Sequence, residues 1–181
     1  MKLMIASDIH GSAHWCRRML TVWEREEQPR LLLLGDILYH GPRNDLPEDY
    51  APKEVIEMLN SMRRWIFCVR GNCDTEVDQM VLEFPILADY AVLSAGERLI
   101  YATHGHVYNP ATPPPLSPGD ILLCGHTHVP ACAEMETGLY LNPGSVSIPK
   151  ENSRHSYMTL DGMRLQWKDV STGETYMEHA L

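Results

Sequence analysis

Leu3-Met4-Ile5-Ala6-Ser7-Asp8-Ile9-His10-Gly11 joins a run of four apolar residues to a turn that carries a carboxylate and an imidazole, and the fold reads outward from it. A run this short, closed by polar residues and glycine, predicts a buried strand. Four further stretches repeat the pattern: 31–34 before Gly35-Asp36, 66–69 before Arg70-Gly71-Asn72-Cys73-Asp74, 99–102 before Thr103-His104-Gly105-His106, and 121–124 before Gly125-His126-Thr127-His128. Two helical stretches lie among the first three. Over 13–27, Cys16, Met19, Leu20 and Trp23 share a face and Ser12 can cap the start. Over 52–62, Val55, Ile56, Leu59 and Met62 do the same, with Pro52 suited to the first turn. A strand–helix–strand–helix–strand opening predicts parallel pairing.

The second half changes character. Residues 158–160, Asp161-Gly162 and 163–167 predict a hairpin with a two-residue turn, 134–142 with Gly138 a second, and Ser171-Thr172-Gly173 a turn before a last strand. The chain is therefore α/β at the start and mostly β at the end. The expectation is one domain over 1–181, with two packed sheets and helices outside. The proline-rich pieces 41–52 and 110–118 read as surface loops.

Bulk composition narrows the function. With 44% hydrophobic and 22% charged residues, the profile is globular, and no apolar run is long enough to span a bilayer. The opening MKLMIASDIHG turns polar too early for a signal peptide, so the expected location is the cytoplasm with no membrane partner. Five cysteines without a CxxC pair speak against a disulfide framework or a zinc ribbon. A net charge of −9 without a basic tract speaks against generic nucleic-acid binding.

In a parallel α/β sheet, ligands gather at the carboxyl ends of the strands. All five exits are expected on that edge, where glycine lets the chain turn sharply. Asp8 and His10 are two apart, as are His126 and His128, so extended backbone would point each pair the same way. Asp8, His10, Asp36, Asn72, His104, His126 and His128 then make seven donors, too many for one ion and enough for two if a carboxylate bridges. Asp36, alone after Gly35 at the centre of the order, is the candidate bridge. Mixed oxygen and imidazole donors suit Mn²⁺, Fe or Zn²⁺ better than Ca²⁺.

D-x-H, G-D, G-N-x-D, H-G-H and G-H-T-H in this order resemble the calcineurin-like metallophosphoesterase superfamily. Gly-Pro-Arg-Asn at 41–44 and Asn-Pro-Gly-Ser-Val-Ser-Ile-Pro-Lys at 142–150 resemble its small YfcE-type bacterial phosphodiesterases, which lack large cap domains. The resemblance implies an α/β/β/α two-sheet sandwich. It implies two divalent ions per chain, Mn²⁺ foremost, one on Asp8, His10, Asp36 and His128 and the other on Asp36, Asn72, His104 and His126. It implies hydrolysis of a small phosphodiester by a hydroxide held between the ions, which makes Asp36 and Asn72 catalytic. The competing readings are a phosphomonoesterase or nucleotidase, and a non-catalytic scaffold like the retromer subunit of this fold; a homo-oligomer is compatible with all of them.

One position departs from the superfamily. Its third motif usually carries a histidine thought to protonate the leaving group, and Cys73 stands there, a weak acid for that task. Cys73, His106 and Arg43 are the candidate substrate contacts, His106 as an alternative proton source and Arg43 as a phosphate binder. Asp74 reads either as orienting the neighbouring site or as capping a helix starting near Thr75, with the cap the preferred reading. Residues 142–145 are expected to support the site from behind.

Overall fold

The computed structural model describes residues 2–181. Strand β1 (Lys2–Ala6) leads into helix α1 (Ala13–Arg25), whose first turn is capped by Ser12 Oγ accepting from Trp15 N at 3.2 Å. Strand β2 (Arg30–Leu33), helix α2 (Pro52–Ser61), strand β3 (Ile66–Cys68) and the short helix α3 (Glu76–Gln79) follow. Next come β4 (Tyr90–Ala95), β5 (Arg98–Thr103), β6 (Asp120–Leu123), β7 (Ala131–Met135) and β8 (Gly138–Asn142). The chain closes with β9 (Ser156–Asp161), β10 (Arg164–Asp169) and β11 (Thr175–Ala180).

These strands form two sheets, ordered β11-β10-β9-β1-β2-β3 and β4-β5-β6-β8-β7. In the first, β1, β2 and β3 pair in parallel, and β9 to β11 add an antiparallel extension beside β1. In the second, β5, β6 and β8 run parallel while β4 and β7 pair antiparallel at the edges. The five predicted strands therefore do not share one edge: β1 to β3 belong to one sheet, and β5 and β6 to the other. The predicted two-sheet sandwich stands.

Alternation along the strands builds two cores. Met4, Ala6, Leu31 and Leu33 face α1 and α2, where they meet Met19, Val22, Val55 and Leu59. Leu3, Ile5, Leu32 and Leu34 point the other way, between the sheets, against Ile100, Ala102, Ile121, Leu123, Leu139 and Leu141. Both faces of β1 and β2 are thus buried, which explains their unbroken apolar runs. Burying a leucine-sized side chain contributes roughly 1.5–3 kcal/mol. The helices shield only the six-stranded sheet in this way; on the outer face of the other, Tyr90 and Tyr101 meet loop residues Tyr108, Pro114 and Pro115. All five cysteines are free, as expected. No described helix is long and apolar enough to cross a membrane.

Candidate metal centre

The strand ends of both sheets deliver donors to one place, where Asp8, His10, Asp36, His104 and His128 are buried while Asn72 is exposed and His126 is half-buried. Asp8, His10 and His128 bring ligand atoms together, and so do Asp36, His104 and His126. His128 Nε2 and His10 Nε2 lie 3.2 and 3.5 Å from Asp8 Oδ1. Asp36 Oδ2 sits between the two groups, 3.7 Å from His10 Nε2 and 3.4 Å from His104 Nε2. Asn72 Oδ1 is 3.1 Å and His126 Nδ1 3.2 Å from His104 Nε2.

The local backbone is not extended. Asp8, His10, Asp36, His126 and His128 have φ of 61°, 50°, 55°, 66° and 62°, in the left-handed region. The two-apart alternation expected for Asp8/His10 and His126/His128 is therefore the wrong reason for their convergence. Each of these five sits in its own left-handed turn, at roughly 1–2 kcal/mol per residue. Aspartate and histidine are among the non-glycine residues enriched there. Neighbouring glycines serve close approach: a Cβ on Gly71 would stand 2.1 Å from Asp36 Oδ1.

Hydrogen bonds orient the rings. His10 Nδ1 bonds Tyr39 O at 2.7 Å, His104 Nδ1 bonds Leu34 O at 2.6 Å, and His128 Nδ1 bonds Ile148 O at 2.6 Å. A carbonyl only accepts, so each Nδ1 carries a proton and each Nε2 is the nitrogen that faces inward, as in metal-bound histidines. Asp36 is held on both sides: its Oδ1 accepts from Cys73 N at 2.8 Å, and its own N–H donates to Asp74 Oδ2 at 2.8 Å. Asp74 also accepts from Ile37 N and Gly71 N. It ties the β2 exit to the β3 exit and caps no helix; Thr75 caps α3, in a reciprocal pair with Asp78. Behind β1, Ser145 Oγ and Ser147 Oγ both donate to Asp8 O at 2.9 Å, so the support expected of 142–145 reaches Ser147.

The charges show what this arrangement lacks. Burial alone would push the Asp8 carboxyl up, yet His10 and His128 hold it well below its ordinary range. Burial disfavours a charged His104, but the Asp36 and Asp8 carboxylates override it and raise that imidazole to about 9. Asp8 Oδ1 is nevertheless buried without a hydrogen bond, and His10 Nε2 faces His128 Nε2 at 3.3 Å. A buried carboxylate oxygen without a hydrogen bond, facing imidazole nitrogens crowded on one another, is unfavourable unless a cation joins them. The donor set fits divalent ions.

A cavity of about 420 Å³ opens beside these groups, lined among others by Asp36, Asn72, His126 and His128. Of the predicted substrate contacts, Arg43 and Cys73 line it. The exposed His106 is outside that lining, its ring 5.4 Å from that of His104. Burial and Asp36 push the Cys73 thiol far up, so it stays protonated. The lining also includes Lys150, whose only signal in the sequence was its place at the end of the 142–150 motif.

Two facing mixed sheets with a buried carboxylate and imidazole cluster at their strand ends define a metallophosphoesterase-like protein. Residues 1–163 match the calcineurin-like phosphoesterase superfamily domain, and the chain belongs to that family. It is 47% identical over 161 residues to phosphodiesterase YfcE of Escherichia coli (strain K12), covering 89% of this chain and 88% of that protein. A solved structure of YfcE, described as a phosphoesterase from E. coli, superposes with a TM-score of 0.95 at 43% identity, covering 99% of each chain. Vacuolar protein sorting 29 from Cryptosporidium parvum shares the fold, with a TM-score of 0.63 at 20% identity over 99% of this chain and 98% of that one.

Proposed function

We propose that this chain hydrolyses small phosphodiesters at two divalent ions, with Mn²⁺ as the activating metal. The carrying observation is the unpartnered Asp8 Oδ1 amid inward-facing imidazole nitrogens, in a chain 47% identical to an enzyme named a phosphodiesterase. Asp8, His10 and His128 would hold one ion, Asn72, His104 and His126 the other, with Asp36 shared between them because its Oδ2 faces both sets. When bound, the ions supply concentrated positive charge that polarises a phosphoryl group and acidifies a nearby water. The chain's own part is orientation. Three Nδ1-to-carbonyl bonds aim the imidazoles, Asp74 fixes the Asp36 backbone and Cys73 N its carboxylate, and the cavity admits the ester.

Cys73 stands where a proton donor would be useful, but a thiol held this high gives up its proton poorly. His106, outside the cavity lining, is badly placed to replace it. Diesters with acidic leaving groups should therefore turn over fastest, and simple phosphomonoesters poorly. The acidic chain suits a small diester over a polynucleotide. We take 1–181 as one unit because β9 to β11 complete the sheet begun by β1, and its five free cysteines suit the reducing cytoplasm.

The test is to strip the protein with chelator, reload it with Mn²⁺, Zn²⁺ or Fe²⁺, and quantify bound metal and hydrolysis in the same samples. Two ions per chain are expected, with Mn²⁺ most active and bis(4-nitrophenyl) phosphate cleaved faster than dialkyl esters. Asp36→Asn should abolish turnover while the fold survives. Wild type holding two ions yet cleaving no phosphoester would replace this proposal with the scaffold reading.

A further inference from the structure

The cavity beside the candidate metal centre brings cationic side chains of its own. Besides the candidate ligands, its lining includes Arg43 and Lys150, both exposed and so near the mouth. The chain has 24 acidic residues against 15 lysines and arginines. Seven of those fifteen pair with a carboxylate. Among the described residues Arg43 and Lys150 pair with none, so two cations free for a ligand meet in one cavity of an acidic protein.

Both are held there by backbone tied to the metal cluster. Lys150 N donates to His128 O at 3.2 Å, and two residues earlier Ile148 O accepts from the His128 ring. Lys150 is thus anchored to a candidate ligand residue. Arg43 rides on a turn closed by Asn44 Nδ2 donating to His40 O at 2.8 Å. Gly41 in that turn has φ of 79°, and a Cβ there would lie 3.3 Å from Cys73 Sγ, so the turn lies against the cluster. A cavity of about 420 Å³ offers more room than one phosphate group fills. A guanidinium and an ammonium together suit phosphate oxygens, the first as a planar fork and the second as a point charge.

We infer that Arg43 and Lys150 form an anion subsite that selects phosphodiesters bearing a second phosphate group close to the scissile one. The inference rests on the proposed diester hydrolysis and names its substrate class.

The test uses a matched pair, thymidine 5′-(4-nitrophenyl phosphate) and the same ester carrying a 3′-phosphate, with the Mn²⁺-loaded protein. Wild type should favour the second in kcat/KM by about tenfold, the factor that 1.4 kcal/mol carries, mainly through KM. Added salt should shrink the ratio, because exposed charges are screened. Arg43→Ala and Lys150→Ala should each pull the ratio toward one, and Lys150→Arg should restore it. Arg98→Ala, at the opposite end of β5 from the cluster, should leave it alone. Calorimetry supplies a readout free of turnover: thymidine 3′,5′-bisphosphate should bind more tightly than the 5′-monophosphate, and Lys150→Ala should remove the difference. Equal hydrolysis of both esters with equal binding of both nucleotides overturns the subsite and leaves the reaction standing. So does a preference that survives both alanine variants. Hydrolysis of neither ester, with tighter binding of the bisphosphate that Lys150→Ala abolishes, sinks the reaction and keeps the subsite.

Discussion

Asp74 does for this site what no ligand can do for itself. Its two oxygens accept from the backbone N–H groups of Asp36, Ile37 and Gly71, so one carboxylate sets the distance between two strand exits. Hydrogen bonds to a charged acceptor contribute about 1.5–3 kcal/mol each. Asp74→Asn turns one acceptor into an NH₂ group facing backbone N–H. We expect it to destabilise the fold by about 2–3 kcal/mol and to weaken metal binding about 10–100-fold. Urea unfolding together with a metal titration checks both; unchanged affinity would show that Asp74 does not position Asp36. The sequence before Thr75 made a helix cap the natural reading, because the true contact reaches back 38 residues and leaves no local trace. Residue types at the centre were legible only together: Gly-Asp or Asp-x-His alone is common in turns, but five such strand exits in order have few other uses. Their left-handed backbone was not, because D-x-H looks the same on extended chain.

Elements show the same division. Continuous apolar runs made β1, β2, β3, β5 and β6 readable, but membership of one sheet or two depends on pairing that spans distant residues. Edge strand β4 escaped notice because Tyr90, Val92 and Ser94 are exposed and only alternate residues pack inward. The end of α1 illustrates how elements are joined. Glu26 accepts from Lys168 Nζ on β10 at 2.6 Å and Tyr157 Oη on β9 at 3.0 Å, and it pairs with Lys2 on β1 at 2.9 Å. A carboxylate at a helix C-terminus opposes the helix dipole and needs such partners. Burial would raise the Glu26 carboxyl, but Lys168, Lys2 and Tyr157 hold it below its ordinary 4.5. A depressed folded value means that its stabilisation is present above 4.5 and is lost as pH falls through that lower value. Glu26→Gln should therefore cost about 2 kcal/mol at neutral pH. The gap from wild type should narrow as pH drops below 4.5, as measured by urea denaturation across pH. A gap independent of pH would mean that the charge on Glu26 contributes nothing.

At the scale of the whole molecule, the cluster bridges two sheets. Asp8, His10, Asp36 and Asn72 follow strands of the six-stranded sheet; His104, His126 and His128 follow strands of the other. Ions bound there would cross-link the layers in the folded state alone. At 100 times the dissociation constant, one ion adds about 2.7 kcal/mol. For a chain of this size that raises Tm by about 5–10 °C. Calorimetric scans with Mn²⁺ and with chelator should show this difference in wild type and its loss in Asp36→Asn; a Tm indifferent to saturating metal would sink the two-ion centre. The left-handed turns also constrain which sequences can occupy this fold. At those five positions the backbone conformation alone would favour glycine, so the aspartates and histidines are kept by what their side chains do, whether bonding Tyr39 O, Cys73 N and Ile148 O or binding ions.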